Sequence, residues 1–74
     1  MNLTPAEMAI LCDLLINGDN TPLNIAENTG YSREHVSESL TLMEGRGLVL
    51  NKGRGVWKLS NLGLRRVNNA DCGE

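Results

Sequence analysis

Aromatic residues are almost missing from this sequence, which contains Trp57, Tyr31 and no Phe among its 74 residues. Strands favour aromatic and β-branched side chains, so a core made of Leu, Ile, Val, Met and Ala favours helices over a sandwich or a barrel. Long apolar runs are also absent: none approaches the roughly 20 residues that a membrane-spanning helix requires, and the first residues do not form a signal peptide. These absences, together with a length suited to one domain, predict a soluble, single-domain, cytoplasmic protein that has no membrane partner.

Metal-binding and disulfide-forming residues are scarce. The cysteines are Cys12 and Cys72, sixty residues apart, and the one histidine is His35. Zinc sites and disulfide frameworks use more such residues at closer spacing, so we expect no metal, no cofactor and no redox chemistry. Cys12 falls in an apolar helical stripe and is predicted to be a small buried side chain, whereas Cys72 lies in a polar tail and is predicted to be a free thiol.

Basic residues are missing from positions 1–32, which carry four acids and a net charge of −4. Positions 33–67 contain all seven Lys and Arg residues and have a net charge of +4, and the remaining tail adds −2. The region from Arg46 to Ala70 has six basic residues and no acid. Because a partner responds to the local field rather than to the mean charge, this half of the chain is compatible with a surface that binds a polyanion.

Capping and periodicity signals divide the chain into four helices and a hairpin. Thr4-Pro5 and Thr21-Pro22 each combine an N-cap with a proline at the first helical position, and Gly30 ends the second helix shortly before a new cap at Ser32. An amphipathic third helix follows, then two β-prone segments around a tip with two glycines, and a short helix capped by Ser60. The predicted bounds are about 5–16 for the first helix, 33–46 for the third, 48–51 and 56–59 for the strands, and 61–67 for the last helix.

The residues TPLNIAENTGYSREHVSESLTLMEGRGLVLNKGRGVWKLSNLG resemble a known family. They are similar to the winged helix-turn-helix domain of small prokaryotic regulators, in which a tight turn containing Gly joins two helices and a hairpin, the wing, follows. Within that group, residues 51–59 look most like the wing of the haloarchaeal proteins related to the phage phi-H repressor. The resemblance covers residues 4–67 and implies a mainly α fold with a small β-hairpin: a three-helix core, a wing and a short C-terminal helix. Residues 1–67 are predicted to form the domain, and 68–74 a flexible tail.

The resemblance also implies a function and two sets of contact residues. The family places its third helix, here residues 33–46, in the DNA major groove, and its basic wing, here residues 51–56, on the backbone or in the minor groove. The implied activity is that of a sequence-specific, repressor-like transcriptional regulator of viral or archaeal type, with double-stranded DNA as its partner. The implied DNA-binding residues are Arg33, Glu34, His35, Ser37, Glu38, Thr41, Lys52 and Arg54.

Several of these residues have a second interpretation. Glu34, Glu38 and Glu44 put carboxylates on the helix that should face DNA. A carboxylate accepts a hydrogen bond from cytosine but repels phosphate, so the alternative is a protein-interaction module that uses this acidic face. His35 could take part in the cap region of its helix instead of contacting a base. Trp57 is expected to pack on the core rather than stack on a base.

Nothing in the sequence supports catalysis. It has no phosphate-binding loop and no nucleophile paired with a base, and the Gly-x-Gly at 53–55 lies in a hairpin tip instead of opening a helix. We therefore expect no enzymatic activity and no small-molecule ligand. A homodimer is a further hypothesis, because two half-sites would supply the specificity that a small domain lacks; the first helix or the Leu62 and Leu64 end of the chain would form its interface.

Overall fold

The computed structural model describes residues 3–68 and residue 72. Three helices come first, then an antiparallel hairpin and a fourth helix, in the order that the sequence predicts. The elements are α1 (Pro5–Asn17), α2 (Pro22–Thr29), α3 (Arg33–Gly45), β1 (Val49–Gly53), β2 (Val56–Leu59) and α4 (Asn61–Asn68). Within the described residues, no helix combines the length and the apolar character needed to cross a membrane.

Local capping explains where the helices begin. The Thr4 hydroxyl accepts from the Glu7 amide at 3.1 Å, and the Glu7 carboxylate accepts from the Thr4 amide at 3.0 Å, which completes the predicted capping box of α1. Ser32 caps α3 by accepting from the His35 amide at 3.1 Å. Gly30 ends α2 in the left-handed conformation, with φ of 82°, so the chain turns sharply and α3 starts only three residues later.

The hydrophobic core is aliphatic, as the composition predicts. Helices α1, α2 and α3 and the start of the hairpin contribute side chains that are almost fully buried. Trp57 is 8% exposed and completes this cluster from β2, which confirms its predicted place in the core. The fully buried large side chains are Ile10, Leu11, Ile25, Val36, Leu40, Met43, Leu48, Val49 and Val67.

A buried carboxylate fixes the loop between α1 and α2. Asp13, 6% exposed, accepts hydrogen bonds from the side-chain amides of Asn17 at 2.7 Å, Asn28 at 2.9 Å and Asn20 at 3.4 Å. Three donors offset the cost of removing the carboxylate from water. The result is that both helices and the loop between them are held by one side chain.

The loop between α1 and α2 also pairs with the hairpin, which the sequence did not indicate. Asn20 forms an isolated antiparallel bridge with Trp57: the Asn20 amide donates to the Trp57 carbonyl at 3.0 Å, and the Trp57 amide donates to the Asn20 carbonyl at 2.8 Å. In the hairpin itself Val49 pairs with Leu59 and Asn51 with Trp57, and the register shifts between Asn51 and Gly53. Strand β2 is therefore bonded on one edge to β1 and on the other to the loop between α1 and α2.

Helix α4 packs closely against the base of the hairpin. Ser60 caps it, accepting from the Gly63 amide at 3.0 Å, as predicted, and its own hydroxyl donates to the Gly47 carbonyl. A Cβ at Gly63 would stand 2.0 Å from the Leu48 carbonyl oxygen. The glycine, which lowers the intrinsic helix propensity of α4, is thus required for the contact between α4 and Leu48, the residue directly before β1.

The prediction that Cys72 is a free thiol is wrong. Cys12 and Cys72 form a disulfide, with their Cα atoms 5.4 Å apart. The two positions meet because α4 packs across α1 and Cys72 lies beside Cys12, a proximity that no local pattern encodes. Cys12 itself is only partly buried. The predicted flexibility of 68–74 falls mostly on residues outside those described, and it stays a prediction.

Candidate nucleic-acid interface

The exposed side of α3 brings together most of the residues predicted to contact DNA. Val36, Leu40 and Met43 turn toward the core, so the opposite side of the helix faces water. Five predicted residues lie along that side and line two adjoining shallow depressions; they are Arg33, Glu34, Ser37, Glu38 and Thr41. Ser37 is half-buried and the other four are exposed.

His35 is placed apart from this set. Its ring stacks on Tyr31, with ring centroids 5.5 Å apart and planes 20° from parallel. Both rings line a groove between α3 and the first turn of α1, which Thr4 and Pro5 also border. His35 is exposed, but it lies at the edge of the α3 surface rather than on the ridge that Arg33 and Thr41 share.

Thr41 has part of its hydrogen-bonding capacity used within the helix. Its hydroxyl donates to the Ser37 carbonyl at 3.0 Å, so the oxygen is left to accept from a partner. A cytosine amino group could use that acceptor, whereas a phosphate oxygen could not. The arrangement makes Thr41 better suited to a base edge than to the backbone.

The tip of the wing is built from three consecutive residues with positive φ. Gly53, Arg54 and Gly55 have φ of 96°, 57° and 76°, and all three are exposed. Among the described residues Arg54 is the one non-glycine with positive φ, a conformation that costs an ordinary side chain about 1 kcal/mol or more. The turn presents an arginine where the backbone favours glycine or asparagine.

Two of the basic residues after position 45 are paired within the protein. Arg46 lies 3.5 Å from the buried Glu7 carboxylate, and the Lys52 ammonium donates to the Asp19 carboxylate at 2.8 Å. The hydrogen bond from Lys52 is the main cause that holds the pKa of Asp19 below its ordinary value; the charges of Lys52 and Lys58 act in the same direction. Of the two wing residues predicted to contact DNA, Arg54 has no ion-pair partner among the residues described.

Sequence reasoning missed Asp19 altogether. The only signal available was a lone acid in a loop, 33 positions from Lys52, and nothing local pairs the two.

As for metal, no group of three or more His, Cys, Asp or Glu residues in the described part of the chain could hold an ion.

A capped helix projecting beyond a tight glycine turn, followed by a hairpin with basic residues at its tip, defines a winged helix-turn-helix domain. Comparison with known families is more specific. The family model described as "Sugar-specific transcriptional regulator TrmB" matches residues 1–65, and the chain therefore belongs to the TrmB family of transcription regulators. A search of curated proteins found no match.

Solved structures share the fold. The chain is similar to Bordetella bronchiseptica BpsR, described in terms of the regulation of its DNA binding by 6-hydroxynicotinic acid, with a TM-score of 0.85, 22% identity, and coverage of 90% of this chain and 51% of that one. It is also similar to CouR, a transcriptional repressor bound to p-coumaroyl-CoA, with a TM-score of 0.80, 28% identity, and coverage of 90% and 49%. The chain thus spans about half the length of these two proteins.

The Zbeta domain of human DAI, described with its binding modes to B- and Z-DNA, is a neighbour of similar size. It has a TM-score of 0.72 and 24% identity, with coverage of 82% of this chain and 91% of that one. At this level of identity the likeness shows the fold alone.

Proposed function

We propose that this chain is a sequence-specific, repressor-like DNA-binding protein that inserts α3 into the major groove and lays the wing, residues 51–56, on the backbone or in the minor groove. The observation that carries the proposal is Arg54: it is exposed, free of an ion pair among the described residues, and held in a backbone conformation that favours glycine. A cation kept at such a position is explained by a partner with concentrated negative charge, and a narrow minor groove is one.

The exposed side of α3 supplies the base-reading groups of the proposal. Arg33, in the first turn, suits guanine or phosphate. Glu34 and Glu38 suit cytosine amino groups. Ser37 suits either a base edge or a phosphate, whereas Thr41, whose hydroxyl already donates to the Ser37 carbonyl, suits a base edge. His35 takes an edge position in this arrangement. Because these carboxylates repel phosphate, the wing must supply most of the attraction to DNA.

The test is fluorescence anisotropy of a labelled random-sequence duplex titrated with the protein at several salt concentrations. We expect log affinity to fall against log salt with a slope of about −3 to −5, as for four or five phosphate contacts. Arg54→Ala should weaken binding and flatten that slope by about 0.9. Arg65→Ala, which removes an exposed charge from α4, is the matched control and should change both quantities less.

Failure of the unmodified chain to bind a random duplex at low salt would remove the electrostatic part of the proposal. Selection of sites from a duplex library would then have to yield a sequence, or the function itself is contradicted. The alternative of a protein-interaction module on the acidic face of α3 is not favoured, because the family is one of transcription regulators. We propose that the chain acts by binding alone and catalyses no reaction.

Effector and assembly are further parts of the proposal. The family description names sugars, and the descriptions of BpsR and CouR name other small molecules. In this chain the depressions along α3 are open and lined by the residues assigned to DNA, so we propose DNA rather than a sugar as their occupant. A thermal shift induced by a panel of sugars would contradict this assignment.

We also propose a homodimer through the exposed Leu62 and Leu64 of α4, 47% and 39% exposed. Light scattering after size exclusion, at a chain concentration in the range of weak dimers, about tens of micromolar, should give twice the chain mass of 8.1 kDa. A monomer mass would contradict it. From the resemblance of the wing we further propose kinship with the phage phi-H repressor group, a viral or archaeal origin, and action in the cytoplasm.

A further inference from the structure

An acidic residue outside the wing forms an ion pair with one of the wing's two cationic side chains. Asp19, in the loop between α1 and α2, accepts a hydrogen bond from the Lys52 ammonium at 2.8 Å. The two side chains are 44% and 48% exposed, respectively. The contact is thus open to solvent, and a phosphate oxygen could reach the same ammonium group.

The position of Asp19 is set by the fold. Its neighbour Asn20 is bound to Trp57 by two backbone hydrogen bonds, of 3.0 and 2.8 Å, and the Asn20 side chain reaches the buried Asp13 at 3.4 Å. Residue 58, directly after Trp57, is a second lysine whose charge also acts on Asp19. The carboxylate therefore stands beside the base of the wing, next to the cations that a DNA backbone would approach.

We propose that Asp19 is an intramolecular competitor of phosphate: it holds Lys52 in the free protein and sets how strongly, and with what salt dependence, the wing engages DNA. This inference rests on the proposed function. When the Lys52 ammonium leaves Asp19 and binds a phosphate, the duplex releases a counterion. The freed Asp19 carboxylate takes up a counterion in turn, and its negative charge lies close to the negatively charged DNA. Asp19 thereby lowers both the affinity for an arbitrary duplex and the salt slope.

The experiment compares Asp19→Asn with the unmodified chain on a random-sequence duplex, by anisotropy across a salt series. We expect affinity to rise about three- to fivefold at moderate salt, the size typical of one exposed charge pair, and the slope to steepen by up to about 0.9. Glu27→Gln is the matched control, because it also removes one exposed negative charge and Glu27 has no ion pair among the described residues. It should change affinity less than about twofold, as a general change in net charge would.

The Lys52→Ala background distinguishes competition between Asp19 and phosphate for Lys52 from a simple increase in the net positive charge of the protein. In that background Asp19→Asn should have no larger effect than Glu27→Gln, because the contested cation is gone. An equal effect of Asp19→Asn and Glu27→Gln in the unmodified background would overturn the inference and leave the proposed function standing. If Asp19→Asn still raises the affinity more than Glu27→Gln does in the Lys52→Ala background, the inference is likewise overturned and the proposed function stands. Absence of DNA binding by the unmodified chain and by every variant would overturn both. Circular dichroism of each variant verifies that the fold is retained.

Discussion

The exposed side of α3 and the wing carry opposite charge and differ in the regularity of their backbone conformation. Helix α3 carries one arginine against Glu34, Glu38 and Glu44, whereas residues 46–59 carry four basic residues and no acid. The helix is regular and capped at Ser32, whereas the wing tip is a run of positive-φ residues. In the proposed function the difference separates two tasks: the regular helix would position selective groups that do not attract DNA, and the irregular tip would present a charge that attracts it without selecting sequence.

A change outside both regions should have the largest effect, and it should act on stability alone. The disulfide between Cys12 and Cys72 closes a loop with a sequence separation of 60, which in the chain-entropy account stabilises the folded state by about 4 kcal/mol. Cys72→Ser should lower the midpoint of urea unfolding accordingly and remove its dependence on added reductant. DNA affinity of the folded variant should stay within about twofold of the original. A midpoint that is the same with and without reductant would contradict the bond.

A pair of glycine substitutions tests the support of each region. At Gly63 a Cβ would meet the Leu48 carbonyl at 2.0 Å, whereas at Gly45, the last residue of α3, it would meet nothing within 4 Å. Gly63→Ala should cost about 3 kcal/mol through overpacking against backbone. Gly45→Ala should be neutral or stabilise by up to about 1 kcal/mol. Chemical denaturation gives both values, and similar values for the two would contradict the packing of α4 on Leu48.

Arg54→Gly should move stability and affinity in opposite directions. The backbone would be relieved of a side chain at φ of 57°, which should stabilise the fold by about 1 kcal/mol. Random-duplex affinity should fall about tenfold with the loss of a charge-assisted contact. Unfolding curves and anisotropy on the same samples measure the two. If Arg54→Gly leaves affinity unchanged, the wing is not the source of attraction and the contrast with α3 fails.

On α3 the expected effect is smaller and depends on the duplex. Glu38→Gln removes a carboxylate that faces the proposed groove, so affinity for a random duplex should rise about two- to threefold. Affinity for a selected site with cytosine at that position should fall, because the strongest acceptor for its amino group is lost. Comparison of the two duplexes by anisotropy provides the test. A rise of the same size on both would mean that Glu38 reads no base.

The fold was predictable because its signals are local. Caps at Thr4 and Ser32, the glycine turn and the two-glycine hairpin tip each act over a few residues, and the structure places α1 and α3 within a residue of their predicted ends. The failures are all long-range. The disulfide needed the return of α4 to α1, and the Asp19–Lys52 contact needed the Asn20–Trp57 bridge. Exposure of the α3 residues followed from periodicity, and the same period of 3.6 residues per turn directs His35 away from Arg33 and Thr41. The stacking of His35 on Tyr31 is a contact that this period does not encode.

The attachment of the wing has a consequence for the entropy of association. The hairpin is fixed along β2 by the Asn20–Trp57 bridge, and at its base by the Ser60 hydroxyl on Gly47 and by the packing of Gly63 against Leu48. A loop that had to become ordered on DNA would lose about 1 to 2 kcal/mol per residue in backbone freedom at the moment of binding. Here most of that ordering is completed when the protein folds, so the DNA complex proposed above would have to immobilise chiefly the long side chains of the tip. In the proposed complex, binding by such a preorganised wing would lose little conformational freedom, so that the electrostatic attraction of one small hairpin would remain largely available as net affinity.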